Sequence, residues 1–274
     1  MKARIVLIVS ALLAVAGCGG NEVASGGQRS VVAAFYPLAW AAERIGGETV
    51  AVTNLTPAGA EPHDIELSAR DVERIRAADV VFYLGRGFQP AVERAADADA
   101  VDLLAGQSLH GSDPHVWLDP IRFAWIAQRV GVALGRPAEP LERDLHALDA
   151  ELRRGLADCR RREIVTSHAA FGYLADRYGL EQIAITGLSP EAEPTPRELE
   201  RVVAEVRAHR ATTVFFETLV SPRLAETVAR ETGAKTAVLN PIEGLTEEQL
   251  AEGEDYVSLM RENLDTLRQA LECR

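Results

Sequence analysis

Three histidines in this sequence stand where their side chains could share one ligand. His168 directly follows a short β-branched run, His63 lies in the segment after another, and His115 is next to a third; α/β proteins bind ligands beyond the carboxyl ends of their strands. The histidines are 52 and 53 residues apart, so no local motif such as HExxH joins them. A fourth candidate, Glu243, follows the run that ends at Leu239. Only the fold can assemble these four side chains into a site.

The chemistry of this set favours a metal ion. Neutral imidazoles and one carboxylate supply the nitrogen and oxygen ligands that tetrahedral Zn²⁺ accepts. Mn²⁺, Mg²⁺ and Ca²⁺ prefer sites with more oxygen ligands, whereas Cu²⁺ and Ni²⁺ are also compatible with this set of ligands. Glu217 also ends a strand run and is the rival carboxylate, with hydrogen bonding in the cleft as its other role. Glu61, Asp64 and Asp113 flank the histidines and could orient the imidazoles. Taken singly, a histidine near a proline-bounded turn is more often a capping or surface residue than a metal ligand.

The elements that must position these residues alternate between β-branched runs and helical segments. The runs in the first half lie at 31–36, 50–55, 79–84 and 116–118, and those in the second at 163–166, 182–186, 212–216 and 235–239. Such alternation predicts an α/β fold with parallel strands. Between the halves, leucines recur every three or four residues over 140–162, which predicts one long helix.

The first 30 residues predict export and anchoring. Residues 1–17 have a basic start and an apolar run, typical of an export signal too short to span a membrane in the mature protein. The stretch Val15-Ala16-Gly17-Cys18 resembles the lipobox of bacterial lipoproteins, in which cleavage exposes the cysteine and its thiol is lipidated. Residues 18–30 are rich in glycine, serine and polar groups and predict a flexible tether.

Composition and charge exclude several classes of protein. With 47% hydrophobic and 26% charged residues, the chain is expected to bury a globular core. A net charge of −12 disfavours a nucleic-acid partner, because binding phosphates requires clustered Lys and Arg. In an exported chain, the two remaining cysteines, Cys159 and Cys273, predict one disulfide.

The chain resembles the metal-binding lipoproteins that serve bacterial zinc and manganese ABC importers. The resemblance covers essentially all of the mature chain and rests on Phe35-Tyr36-Pro37 and on the stretches 59–66 (GAEPHDIE), 113–120 (DPHVWLDP), 166–175 (TSHAAFGYLA) and 239–245 (LNPIEGL). It implies two lobes, each with a four-stranded parallel sheet flanked by helices, joined by one long rigid linking helix. The implied boundaries are 31–138 for the N-terminal metal-binding lobe, 139–162 for the helix and 163–274 for the C-terminal metal-binding lobe.

The resemblance also implies a ligand set in the crevice between the lobes: His63, His115, His168 and a carboxylate of the C-terminal lobe. Many relatives carry Asp where this sequence has Asn240, a poor ligand, which leaves Glu243 as the fourth ligand, as in zinc-type relatives. Manganese-type relatives tend to have a carboxylate in place of His168, so zinc is favoured over Mn(II). The long His-rich loop that some zinc-type relatives carry before His115 is absent here, and His110 is its only trace.

We therefore expect a non-enzymatic protein that captures Zn(II) and delivers it to an ABC permease with its ATPase. It is expected to be a monomer, anchored through Cys18 at the outer face of the cytoplasmic membrane or in the periplasm, with no nucleic-acid partner. Four protein ligands would leave no position for an activated water. The alternatives are an exported zinc-dependent hydrolase with Glu217 or Glu243 as general base, a manganese-specific binding protein, and a surface adhesin, because one fold can serve several functions.

Overall fold

The structure is a computed structural model that describes residues 27–97 and 99–274. The predicted export signal, Cys18 and most of the predicted tether lie outside these residues. Within the described ranges, the first four strands form one parallel sheet in the order β2-β1-β3-β4. Their bounds are β1 Arg29–Ala33, β2 Val50–Asn54, β3 Val80–Tyr83 and β4 Val101–Asp102.

The last four strands of the described chain form a second parallel sheet in the order β6-β5-β7-β8. Their bounds are β5 Glu163–Thr166, β6 Glu181–Ala184, β7 Thr213–Phe216 and β8 Lys235–Val238. Both sheets repeat one topology, in which the first strand lies between the second and third. The predicted fold class, two four-stranded parallel sheets flanked by helices, is confirmed.

Helices connect the strands of each sheet. Four of them accompany the first sheet: α1 Tyr36–Gly46, α2 Ala69–Ala77, α3 Pro90–Ala95 and α4 Pro120–Leu134. After α5, Glu139–Gly155, five more accompany the second sheet: α6 Gly172–Tyr178, α7 Pro196–His209, α8 Arg223–Thr232, α9 Glu247–Glu252 and α10 Tyr256–Ala270. We call the part from β1 to α4 the N-lobe and the part from β5 to α10 the C-lobe. None of the described helices is both long and apolar enough to cross a membrane.

Helix α5 lies between the lobes and buries the predicted leucine face, which includes Leu145 and Leu152. It ends at Gly155, seven residues before the end of the predicted helix at 162. Helix α5 ends where α10 packs against it. A Cβ atom at Gly155 would lie 2.8 Å from a methyl group of Leu264 on α10. Shortly afterwards Cys159 is bonded to Cys273.

Two predicted details of the first half differ from the structure. Residues 116–118, read as a strand run, form a 3₁₀ turn, Val116–Leu118, because Pro114 and Pro120 bracket the segment and proline cannot donate to a sheet ladder. The fourth strand is instead β4, only two residues long. Strand β1 also begins inside the predicted tether, because Arg29 and Ser30 pair with β2.

One apolar core crosses from lobe to lobe. It includes β1, α1 and α4 of the N-lobe, α5, and α10 of the C-lobe. Tyr256 at the start of α10 contacts two N-lobe rings, with centroid distances of 5.1 Å to Trp40 and 4.6 Å to Phe123. Its hydroxyl donates to the carbonyl oxygen of Trp117 at 2.5 Å. The packing therefore holds the lobes at a defined separation, with the cleft between them.

Candidate metal centre

The four side chains singled out in the sequence meet in the cleft. The N-lobe supplies His63, from the loop after β2, and His115, from the turn before residues 116–118. The C-lobe supplies His168, two residues after β5, and Glu243, from the loop after β8. One ligand atom of each lies within 4.8 Å of the others. The Oε1 atom of Glu243 is 3.3, 3.2 and 3.5 Å from the Nε2 atoms of the three rings in chain order.

Two carboxylates orient two of the rings. Nδ1 of His115 is 2.7 Å from Oδ1 of Asp113, and Nδ1 of His168 is 2.7 Å from Oε1 of Glu217. A carboxylate accepts a hydrogen bond, so Nδ1 carries the proton in each neutral ring and the lone pair of Nε2 faces the cleft. Glu217 thus lies behind His168, outside the group formed by the three histidines and Glu243. Asp113 holds the position predicted for a group that orients an imidazole.

Burial differs across the site. The side chains of His115 and His168 are fully buried and that of Glu243 is 1% exposed. The side chain of His63 is 10% exposed, and Phe88 packs edge-on against its ring at 4.7 Å. His115, His168 and Glu243 therefore form an enclosed group of metal ligands, and His63 completes the group at the rim of the cleft.

The electrostatics of the group suit a cation. Burial raises the pKa of Glu243, but hydrogen bonds to the three imidazoles outweigh it and hold this pKa well below its ordinary value. Burial lowers the pKa of His168, but hydrogen bonds to Glu217 and Glu243 raise it to about 10, and the pKa of His115 is raised for the same kind of reason. Positive charge is thus favoured where the donors converge. Oε2 of Glu243 is buried without a hydrogen-bond partner in the described chain, so the carboxylate has a second oxygen to offer.

The other two flanking carboxylates do not orient an imidazole. Oε1 of Glu61 accepts from the backbone N–H of His63 at 3.0 Å, so it shapes the loop and leaves the ring alone. Burial, together with the charge of Glu243, raises the pKa of Glu61 to about 8. Asp64 is exposed, and no hydrogen bond joins it to an imidazole in the part of the chain that the structure describes. The expectation that Asp64 orients a ring is therefore wrong in this structure.

The loop that carries Glu243 is held by contacts that sequence reasoning missed. Asn240, considered only as a poor ligand, accepts from the N–H of Ile242 at 2.8 Å and exchanges hydrogen bonds with Asn263 of α10. Ile242 has a φ of 56°, a left-handed conformation that a β-branched residue rarely adopts. Across the cleft, the indole N–H of Trp117 donates to the carbonyl of Pro241 at 2.8 Å. Glu243 is thus held in place by surrounding structure, and only the Asn-Pro pair hinted at this turn.

Comparison with known proteins agrees with this architecture. A family model described as the periplasmic zinc-uptake complex component A, ZnuA, matches residues 31–270. The chain is 34% identical over 285 residues to the zinc-binding lipoprotein AdcA of Streptococcus pneumoniae, covering 91% of this chain and 57% of AdcA. It is 31% identical over 306 residues to the high-affinity zinc uptake system protein ZnuA of Bacillus subtilis, covering 97% of this chain and 96% of that protein. The chain therefore spans less than two thirds of AdcA and nearly all of the Bacillus protein.

Two solved structures align with both lobes. The Zn(II)-bound ZnuA-like domain of Streptococcus pneumoniae AdcA superposes with a TM-score of 0.77 at 34% sequence identity, covering 90% of this chain and 100% of that domain. The metal-dependent lipoprotein YcdH of Bacillus subtilis superposes with the same TM-score at 32% identity. At these identities the fold of the two lobes is shared.

Proposed function

The chain belongs to the family of the periplasmic zinc-uptake complex component A, and on this premise we propose that it captures Zn(II) outside the cytoplasmic membrane and delivers it to an ABC permease. The observation that carries the proposal is the convergence of three imidazole nitrogens and one carboxylate oxygen within 4.8 Å of one another. Three nitrogens and one oxygen make up the tetrahedral set that Zn²⁺ accepts.

The arrangement supports holding zinc without reacting it. Catalytic zinc keeps one position open for water, whereas a site with four protein ligands is closed. Here the donors of both lobes point at one another, and Glu217, the alternative general base, is hydrogen-bonded to His168 behind the ring. A hydrolase would need Glu243 off the metal and a water in its place. Its carboxylate instead lies within 3.5 Å of all three Nε2 atoms.

The donor set supports zinc over Mn(II). Manganese prefers more oxygen ligands than one carboxylate supplies, and the two carboxylates nearest the rings, Asp113 and Glu217, contact the Nδ1 atoms on the far side. The solved AdcA domain that this chain resembles holds Zn(II). We assign zinc as the transported ion on the chemistry of the donors, with the relative in agreement.

Delivery requires partners and an anchor. The partners are the permease and its ATPase, to which a periplasmic component of an uptake complex must pass its ion. We propose a monomer, attached through lipidated Cys18 to the outer face of the cytoplasmic membrane. AdcA of Streptococcus pneumoniae, to which this chain is similar, is a zinc-binding lipoprotein, which supports this arrangement. His63, the one partly exposed donor, is the ligand that we expect to leave first when the ion is released.

The proposal is tested by the zinc content and affinity of the purified protein, before and after chelation. One zinc per chain is expected. His115→Ala and Glu243→Gln should each weaken binding by roughly 100-fold or more, because each removes a ligand from the metal. Glu217→Gln should weaken it by about 10- to 100-fold, the usual effect of losing a group that orients a ligand.

The matched control is His146→Ala, which removes an exposed histidine from α5 and should leave affinity unchanged. A wild-type protein that takes up no zinc would refute the function. A Glu217 variant that loses more affinity than the Glu243 variant would exchange the roles of the two carboxylates.

A further inference from the structure

A tyrosine of the C-lobe is inserted into the N-lobe beside the metal centre. Tyr173, in the first turn of α6, is 1% exposed. The imidazole of His110 stacks on its ring, with centroids 4.3 Å apart and planes 14° apart, and the guanidinium of Arg122 lies 4.7 Å from the ring centroid. Both of these side chains belong to the N-lobe. The ring is therefore held between groups of the opposite lobe.

The hydroxyl of Tyr173 makes two hydrogen bonds across the cleft. It donates to the backbone carbonyl of Asp113 at 2.9 Å and accepts from the backbone N–H of His110 at 3.0 Å. The side chain of Asp113 in turn orients His115 through Nδ1 at 2.7 Å. One hydroxyl group thus forms hydrogen bonds with the first and last residues of the loop 110–113, which carries the Asp113 carboxylate.

The helix that carries Tyr173 is close in sequence to His168, the histidine ligand of its own lobe. Helix α6 begins at Gly172, four residues after His168. A Cβ at Gly172 would lie 3.1 Å from Oδ2 of Asp113, so the backbone at the start of α6 packs directly against the same carboxylate. The distance between His115 and His168 therefore depends on the contact between α6 and Asp113, to which Tyr173 contributes.

We propose that Tyr173 is a positioning residue whose hydroxyl fixes the Asp113–His115 segment to α6 and thereby slows the loss of zinc. The inference rests on the proposed function, because it assigns zinc to the four donors. Without the hydroxyl, a backbone carbonyl and a backbone N–H lose their partner, and leaving such groups unpaired in a buried site is costly. The segment then shifts to satisfy them, and Asp113 no longer holds the His115 ring against the ion.

The test is Tyr173→Phe in the full chain, which keeps the aromatic ring and removes the hydroxyl. The zinc-loaded protein is mixed with a chromogenic chelator, and the rate of zinc release is measured. We expect release to be about three- to tenfold faster, the effect of losing an ordinary hydrogen bond. The matched control is Tyr178→Phe on the same helix, whose buried hydroxyl donates to Asp149 of α5 at 3.2 Å. This variant should release zinc at the wild-type rate, within about twofold.

Cobalt provides a readout that a general loosening of α6 does not change. Co²⁺ is added alone to the zinc-free proteins, and the visible absorption of the bound ion, which depends on its ligand geometry, is recorded. Tyr173→Phe should change the position or intensity of the bands, whereas Tyr178→Phe should reproduce the wild-type spectrum.

The outcomes separate this inference from the function on which it rests. If the wild type takes up no zinc, or His115→Ala binds it equally well, the proposed function fails. If the wild type binds zinc and His115→Ala does not, the function stands. In that case a wild-type release rate in Tyr173→Phe, or an equal acceleration in Tyr178→Phe, overturns the positioning role alone.

Discussion

The position of protons decides how the individual donors behave. Asp113 and Glu217 hold the Nδ1 protons of their rings, so each Nε2 in the cleft is either a lone pair for a metal or a second proton facing Glu243. Without metal the second arrangement is favoured, and the pKa of His168 rises to about 10. Zinc must therefore displace protons when it binds.

The stabilisation that zinc gives to the fold should increase with pH. The pKa of His168 is higher in the folded protein than the unperturbed value near 6.5, so the stability contributed by its proton is fully present below about pH 6.5. It is lost as the pH rises toward 10. The zinc-bound state needs no such proton. The rise in Tm caused by zinc should therefore grow steadily from pH 6.5 to 9, measured by thermal unfolding at a buffered concentration of free zinc.

The control for this prediction is His115→Ala under the same conditions, which should show little shift with zinc at any pH. A zinc-induced shift in the wild type that is equal at pH 6.5 and pH 9 would contradict the proton competition. It would leave the identity of the ligands untouched, because these are tested separately by zinc affinity.

The sequence identified the donors but could not order the carboxylates. His63, His168 and Glu243 could be chosen because each follows a strand, and the ends of parallel strands meet at one edge of a sheet. Glu217 meets the same criterion, and only the three-dimensional arrangement places it behind His168. Tyr173 gave no signal at all, because a tyrosine in a helical segment is ordinarily a core residue.

Among the elements, α4, α5 and α6 are joined by one ion cluster. Nε of Arg177 on α6 lies 2.7 Å from Asp149 of α5 and 3.1 Å from Asp119, the N-cap of α4. Both carboxylates are largely buried. One guanidinium therefore connects the C-lobe to the helix between the lobes and to the N-lobe.

Arg177→Met should lower the free energy of unfolding of the zinc-free protein by about 2 to 3 kcal/mol. The variant leaves two carboxylates near each other without their shared cation, which is costly in a partly buried site. Arg153→Met is the control, because Arg153 contacts Asp149 from an exposed position at 3.4 Å and surface pairs contribute about 0 to 1 kcal/mol. Urea denaturation measures both. Equal losses in the two variants would show that the cluster has no special role.

At this scale the sequence predicted regular elements better than turns. The run at 163–166 coincides with β5, because β-branched residues favour strands and the segment has clear boundaries. The prediction of a strand at 116–118 was wrong, because two prolines flank these apolar residues and the segment forms a 3₁₀ turn. Strand β4 has two residues, too few for a pattern. Its place is decided by pairing with β3, a tertiary contact.

In the whole molecule, the cleft lies at the carboxyl ends of the strands of the second sheet, and the disulfide lies at their amino ends. His168 and Glu243 follow the carboxyl ends of β5 and β8, whereas Cys159 precedes the amino end of β5. The bridge to Cys273 attaches the end of the chain after α10 to the segment after α5. Stability and metal binding should therefore respond separately to its removal.

Replacing both Cys159 and Cys273 by Ser should lower the free energy of unfolding by about 4 kcal/mol. The bridge closes a loop between residues 114 positions apart, and cross-links over such distances restrict the unfolded chain strongly. The native contacts around it remain, including the ion pair of Arg161 with Glu272 at 3.1 Å, so the folded state should keep its shape and release zinc at the wild-type rate. Urea denaturation gives the first quantity and chelator competition the second. A loss below about 1 kcal/mol would mean that these contacts already restrict the chain end in the unfolded state, and faster zinc release would mean that the bridge supports the cleft across the sheet.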